Sequence, residues 1–257
     1  MRRHGARKGS VRPAILLSWI GALLAALLVV TPTTAGDRAL IDFLGYSADG
    51  DHFAFEEYGI QDGSGFAYSI IYIVQLSSDS WVKGTPYRVQ APEDKPDMPL
   101  AQVRAEARQR AQADLESLHI DNPAQILALI GDGAVEEDGT TLAFAEPACC
   151  GIATVSEATQ TLRLENFPVA EAGFDCVALT GDKPLGYALA LDKDGTVSEL
   201  HRDGQKLPMS RGCPMGYRLF AVLQPFNQSA HRVAIVSTFP FGFEGPSRRF
   251  LAVPLGD

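Results

Sequence analysis

The sequence predicts a mainly β protein built from antiparallel sheets, a sandwich or a partial propeller-like arrangement, with a helical insertion at about residues 97–130. Three observations predict this class. Short runs rich in aromatic and β-branched residues alternate with breaks rich in Gly, Asp and Ser. Asp-Gly recurs at 49, 62, 132, 138, 194 and 203, and a dipeptide that tolerates positive φ suits the tight hairpins of antiparallel sheets. From Asp97 the composition changes to Ala, Arg, Gln and Glu, with apolar residues at helical spacing.

Residues 39–46, 52–58, 68–76 and 81–89 read as four strands, separated by Ser47-Ala48-Asp49-Gly50, Gln61-Asp62-Gly63-Ser64-Gly65 and Ser77-Ser78-Asp79-Ser80. The prolines of residues 91–99 favour an extended connection. Asp97, with Pro99 early in the first turn, reads as the cap of an amphipathic helix whose apolar stripe is Leu100, Val103, Ala107, Ala111, Leu115 and Leu118. Such a stripe covers a sheet face. Asn122-Pro123 reads as a second cap, opening a short helix over residues 124–130 that Gly131 stops. Residues 186–191 and 196–201 form a later hairpin around Asp194-Gly195.

The first 35 residues have a different character. Arg2, Arg3, Arg7, Lys8 and Arg12 precede an uncharged apolar run at 14–30, and Thr33-Thr34-Ala35 offers small residues before Gly36. This is the order of a secretory signal peptide, predicted to be cleaved after Ala35. An uncleaved anchor is the competing reading, because the apolar run lies at the short end of what spans a bilayer. The expected organisation is a leader, 1–35, and one secreted β-rich domain, 36–257, periplasmic or secreted, that meets the membrane only transiently through its leader. Removing the five leader cations leaves 17 basic against 31 acidic residues, a formal charge of −14. That balance argues against nucleic acid as a partner, which requires clustered cations.

All four cysteines, Cys149, Cys150, Cys176 and Cys213, follow the leader, and in an oxidising compartment they imply disulfides. An adjacent pair closes only a strained ring, so two disulfides are expected, one of Cys149 and Cys150 joining Cys176 and the other Cys213. No Cys-x-x-Cys occurs, and His52, His119, His201 and His231 lie outside ligand spacing of one another, so no metal, cofactor or catalytic residues are assigned. Ser80-Trp81-Val82-Lys83 has the spacing of a serine–lysine nucleophile, but on a strand the two side chains take opposite faces. Asp192-Lys193-Asp194-Gly195 has a fragment of calcium-loop character that a hairpin turn explains.

The remaining candidate is the segment 239–250, where Phe239, Phe241, Phe243 and Phe250 flank Glu244-Gly245-Pro246 and Arg248-Arg249. Its simpler reading is a hairpin connection whose alternate phenylalanines, Phe243 among them, enter the core, while Arg249 stays exposed and Glu244 pairs with an arginine across the turn. Its sharper reading is a binding patch of Phe241, Phe243, Glu244, Arg248 and Arg249, residue types enriched at interaction hot spots.

Two resemblances accompany these readings. Residues 45–55, Gly-Tyr-Ser-Ala-Asp-Gly-Asp-His-Phe-Ala-Phe, followed by Ile71-Tyr72-Ile73-Val74-Gln75-Leu76, resemble one blade of a TolB-type periplasmic propeller. The same stretch, with Ser210-Arg211-Gly212-Cys213-Pro214 and residues 242–250, looks like a bacterial family of predicted secreted proteins of unknown function. The second resemblance spans nearly the whole mature chain and implies export and a single domain. It transfers no activity. The function expected from the sequence is therefore an exported, non-catalytic binding or envelope-associated protein, with an envelope protein or small ligand as its partner. A hydrolase acting on an envelope or extracellular substrate is the alternative, and a structural or carrier role the third class.

Overall fold

A computed structural model describes residues 36–131, 139–145 and 159–256; the leader, Cys149 and Cys150 lie outside the described residues. Among these, thirteen strands form three antiparallel sheets, none closed into a barrel. The first sheet contains β1 (Leu40–Tyr46), β2 (His52–Ile60), β3 (Ala67–Gln75), β4 (Ser80–Trp81) and β5 (Tyr87–Gln90), in the order β1-β2-β3-β4, with β5 also paired to β3. The second runs β13 (Arg249–Pro254), β12 (Val233–Pro240), β11 (Pro214–Pro225), β6 (Ala124–Leu129). The third runs β10 (Thr196–Arg202), β9 (Leu185–Lys193), β8 (Thr159–Pro168), β7 (Thr141–Ala145).

Strand alternation stacks these sheets into layers, with the second in the middle. On β12, Val233 and Ile235 pack against the first sheet, while Ala234 and Val236 pack against the third. On β3, Tyr68, Ile70, Tyr72 and Val74 face the second sheet, and Ala67 and Ile71 face a helix on the other side. Strands covered on both faces read as unbroken apolar runs. Each large side chain so buried contributes roughly 1.5–3 kcal/mol.

Between Phe43 and Gly45 the pairing of β1 with β2 shifts by one residue. This bulge brings Phe43 and Tyr46 into the same cluster although they are three positions apart. Gly45 has φ 131°, and a Cβ there would meet the Asn122 carbonyl oxygen at 2.6 Å, so the bulge requires glycine.

The insertion is the helix α1 (Leu100–Ser117), which buries Val103, Ala107 and Ala111 against the first sheet as the stripe predicts. Pro99 stands at its N-cap, and no side chain caps it, so Asp97 does not take the expected role. Polar groups fix the helix in register. Glu56 on β2 is fully buried and accepts hydrogen bonds from Arg104 Nε and Nη2 at 2.8 Å each, from Arg108 Nε at 3.2 Å and from Ser69 Oγ at 2.9 Å. Both arginines also reach Asp42.

Two expectations fail here. Residues 124–130 form a strand rather than a second helix. Asn122 exchanges both backbone hydrogen bonds with Tyr46, Phe226 N–H donates to the Pro123 carbonyl, and β11 offers an edge that pairs from Pro225↔Ala124 to Ala221↔Leu129. Six residues give a helix too little propagation to compete with that. The predicted strand 81–89 is broken in two, because Val82–Pro86 turns between β4 and β5. The β9–β10 hairpin forms as predicted, with Asp194 at φ 52° and Gly195 at φ 81°.

The cysteine pairing also differs. Cys176 bonds to Cys213, their Cα atoms 5.4 Å apart, so neither joins Cys149 or Cys150. Cys176 opens the short helix α2 (Cys176–Thr180), whose cap Asp175 accepts the Ala178 N–H. Cys213 ends the loop of the 3-10 turn Met209–Arg211, and the disulfide ties the two irregular segments together. Vicinity in space, invisible in the spacing, decided the partners.

Candidate functional site

A cleft of about 480 Å³ opens where the three sheets meet. Its size falls in the usual range for small-ligand sites. The first sheet supplies Tyr72, Trp81 and Arg88, the third Tyr187 and His201, the second Arg249 and Thr238, and the disulfide-tied loop brings Arg211.

Local geometry explains each placement. Arg88 pairs with Ile70, so it shares the inner face of Ile70 and Tyr72, while its neighbours Tyr87 and Val89 turn to the helix. The turn after β3, with Asp79 at φ 45°, delivers Trp81 to the cleft edge, 5.5 Å from the Tyr72 ring. Arg88 is exposed and forms no ion pair among the described residues; its guanidinium lies 5.9 Å from the centroid of Tyr72.

On the opposite wall a polar network fixes a row of rings. His201 stacks on Tyr187 at 4.6 Å, and Tyr187 lies 4.7 Å from Tyr217. Arg211 covers both tyrosines, 5.3 and 5.7 Å from their centroids, and donates to the Tyr217 hydroxyl at 3.3 Å. Asp203 holds this arrangement: it accepts the Tyr187 N–H at 3.1 Å and lies 3.1 Å from His201 Nε2 and 3.6 Å from Arg211 Nη2. Burial opposes charge on Asp203, but the His201 hydrogen bond and the Arg211 charge outweigh it and hold its pKa below the ordinary value. Burial drives the Tyr187 hydroxyl pKa far up, so it stays protonated.

A buried carboxyl group lies behind Arg249 and Phe250. Glu57 on β2 is fully buried, accepts the Phe250 N–H at 2.9 Å, and has Arg249 Nε 3.6 Å away. Burial pushes its pKa from 4.5 up to about 7, against the pull of Arg249 and of the Phe250 N–H. Arg249 also donates to the Tyr68 hydroxyl and reaches Asp37 at 3.3 Å, so its guanidinium is held in place from three sides.

The residues proposed from sequence as one patch separate. Phe241 and Phe243 lie on the outer turn, their rings 6.3 Å apart, and Phe243 is fully exposed instead of entering the core. The hairpin itself forms, but the β12–β13 pairing on that side reaches only Thr238↔Arg249 and no strand alternation carries through the loop. Glu244 approaches Asp62, not an arginine, and their hydrogen bond raises its pKa. Arg248 is buried and donates to the Ala39 carbonyl. Arg249, expected outside, turns into the cleft.

Ser210 also lines the cleft beside His201. His201 Nε2 is hydrogen-bonded to Asp203 and Nδ1 lies 4.0 Å from Asp79 Oδ2; no hydrogen bond among the described residues joins His201 to Ser210. No group of three His, Cys, Asp or Glu among the described residues could hold a metal ion, and no helix among them is long and apolar enough to cross a membrane.

The signals available in sequence were partial. Arg211 and Arg249 fall inside two of the segments that carry the family resemblance, whereas Arg88 and Tyr187 belong to no local motif and Trp81 only to the serine–lysine spacing set aside above. A family profile described as "Predicted secreted protein (DUF2259)" matches residues 54–255, a range that takes in all the cleft residues named above. No curated protein and no solved structure matches the chain.

Proposed function

Because the chain belongs to this family of predicted secreted proteins, we propose that it works outside the cytoplasm, periplasmic or secreted, freed of its leader after Ala35, as a binding protein whose ligand site is the cleft between the sheets. A disulfide fits that compartment. The observation that carries the reading is the convergence on one cleft of aromatic rings and guanidinium groups from all three sheets. Such pockets, mostly apolar with a few fixed polar groups, suit recognition of a small molecule. With no hydrogen bond between Ser210 and His201 among the described residues, the arrangement favours binding over acyl-transfer hydrolysis.

Native mass spectrometry of the exported protein, purified without denaturation, tests this reading. The expected spectrum shows a polypeptide beginning at Gly36 together with an adduct that disappears in Trp81→Ala. A wild-type spectrum without an adduct, or an adduct unaffected by Trp81→Ala, contradicts the site. A species beginning at Met1 contradicts the processing.

A further inference from the structure

We infer that the ligand of this cleft is a small ring compound bearing a carboxylate. The inference rests on the proposed binding role and adds the chemistry of what is bound.

The cleft combines three cations with two ring surfaces. Arg88, Arg211 and Arg249 all line it, on a protein whose formal net charge is −9. Concentrating guanidinium groups in one recess of an acidic chain focuses a local positive field. Arg211 and Arg249 are already anchored, by Asp203 with Tyr217 and by Glu57 with Tyr68 and Asp37. Arg88 is the exposed cation of the three: it forms no ion pair within 4 Å among the described residues, and only the Tyr72 hydroxyl and the more distant charge of Glu57 act on it. Its planar fork matches a carboxylate in two-point contact, which a single ammonium could not reproduce. A carboxylate received by Arg88 would also feel the two fixed arginines.

The ring requirement comes from the walls. Trp81 is exposed at the rim, tilted over Tyr72, and on the third sheet the partly exposed His201 ring, stacked on the buried Tyr187, supplies a second flat surface. Exposed tryptophan on a strand of two residues contributes little to the core, and flat surfaces on both walls suit a flat or pyranose ring between them. Asp79 at the same edge has half-exposed oxygens near His201, an acceptor for a ligand hydroxyl.

Isothermal titration of the mature protein tests the class with four probes: 4-hydroxybenzoate and galacturonate as acids, and 4-hydroxybenzamide and galactose as their neutral counterparts. At least one acid should bind at roughly tenfold or better advantage over its neutral counterpart, the difference a charge-assisted contact makes. The same acid should weaken by roughly tenfold in Arg88→Gln and in Trp81→Ala, two variants at exposed positions whose melting temperatures should match the parent. Added salt should weaken the acid and leave the neutral probe unaffected, a readout that needs no variant. The two acids together decide whether the ring is aromatic or a sugar. Equal binding of acid and neutral probes, lost in Trp81→Ala, overturns the carboxylate assignment while leaving the cleft as the ligand site. Absence of binding by all four probes at millimolar concentration overturns the inference, and the adduct in the native spectrum then judges the binding role separately.

Discussion

Replacing both Cys176 and Cys213 by serine should cost about 4 kcal/mol of stability and unfasten one wall of the cleft. The magnitude follows from the loop closed. The two residues are 37 apart in sequence, and cross-linking a loop of that length removes about 4 kcal/mol of unfolded-chain entropy in the loop-closure treatment. The native cost is local: Cys176 opens a helix of five residues and Cys213 follows the cap of a 3-10 turn of three, elements too short to hold themselves. Arg211 lies on that turn, so its guanidinium should lose its fixed place over Tyr187 and Tyr217. Urea denaturation gives the stability difference, and amide exchange reports on residues 207–213 separately. The double variant leaves Cys149 and Cys150 as they are in the parent, so the comparison isolates one bond. A difference below about 1 kcal/mol with unchanged exchange around Arg211 would refute the reasoning.

Three further groups of substitutions probe the layers. Arg104→Ala strands the fully buried Glu56 with only Arg108 and Ser69 and should cost about 3 kcal/mol by urea titration, while the paired change Arg104→Met with Glu56→Leu should cost much less; additive losses would contradict a coupled buried pair. Since burial raises Glu57 from 4.5 to about 7, the folded state keeps a proton that the unfolded chain releases, so stability should fall by about 3 kcal/mol as pH climbs through that window. In Glu57→Gln that part of the pH dependence should vanish, and curves at pH about 5 and about 8 that match the parent's would exclude the assignment. Phe243→Ala should change stability by less than about 0.5 kcal/mol, and Arg249→Ala should cost about 2–3 kcal/mol because it removes the cation nearest Glu57 together with the contacts to Tyr68 and Asp37; thermal melts showing the reverse order would restore the buried-phenylalanine hairpin.

What could be read from the sequence follows from physics. The first sheet and the β9–β10 hairpin were legible because Asp-Gly turns and short aromatic runs are local signals. The helix was legible because Val103, Ala107 and Ala111 repeat at its period. The central strands β11 and β12 were not, since burial on both faces removes the alternation that marks a strand. Residues 124–129 misled because a six-residue apolar run fits helix and strand alike, and the edge of β11 decided between them. The same distinction holds at the site. Arg211 and Arg249 stood in noticeable segments, but their direction depends on a disulfide and on a buried carboxyl supplied from far along the chain. Phe243 was misplaced because strand alternation was extended through a loop that does not obey it.

The meeting point of the three sheets is the proposed place of the ligand. A crystal structure of the mature protein grown with whichever acid probe binds tests it most directly. Ligand density is expected between Trp81 and the His201 ring, with its carboxylate on Arg88. Density for the probe at any other surface, with this cleft empty, would contradict it.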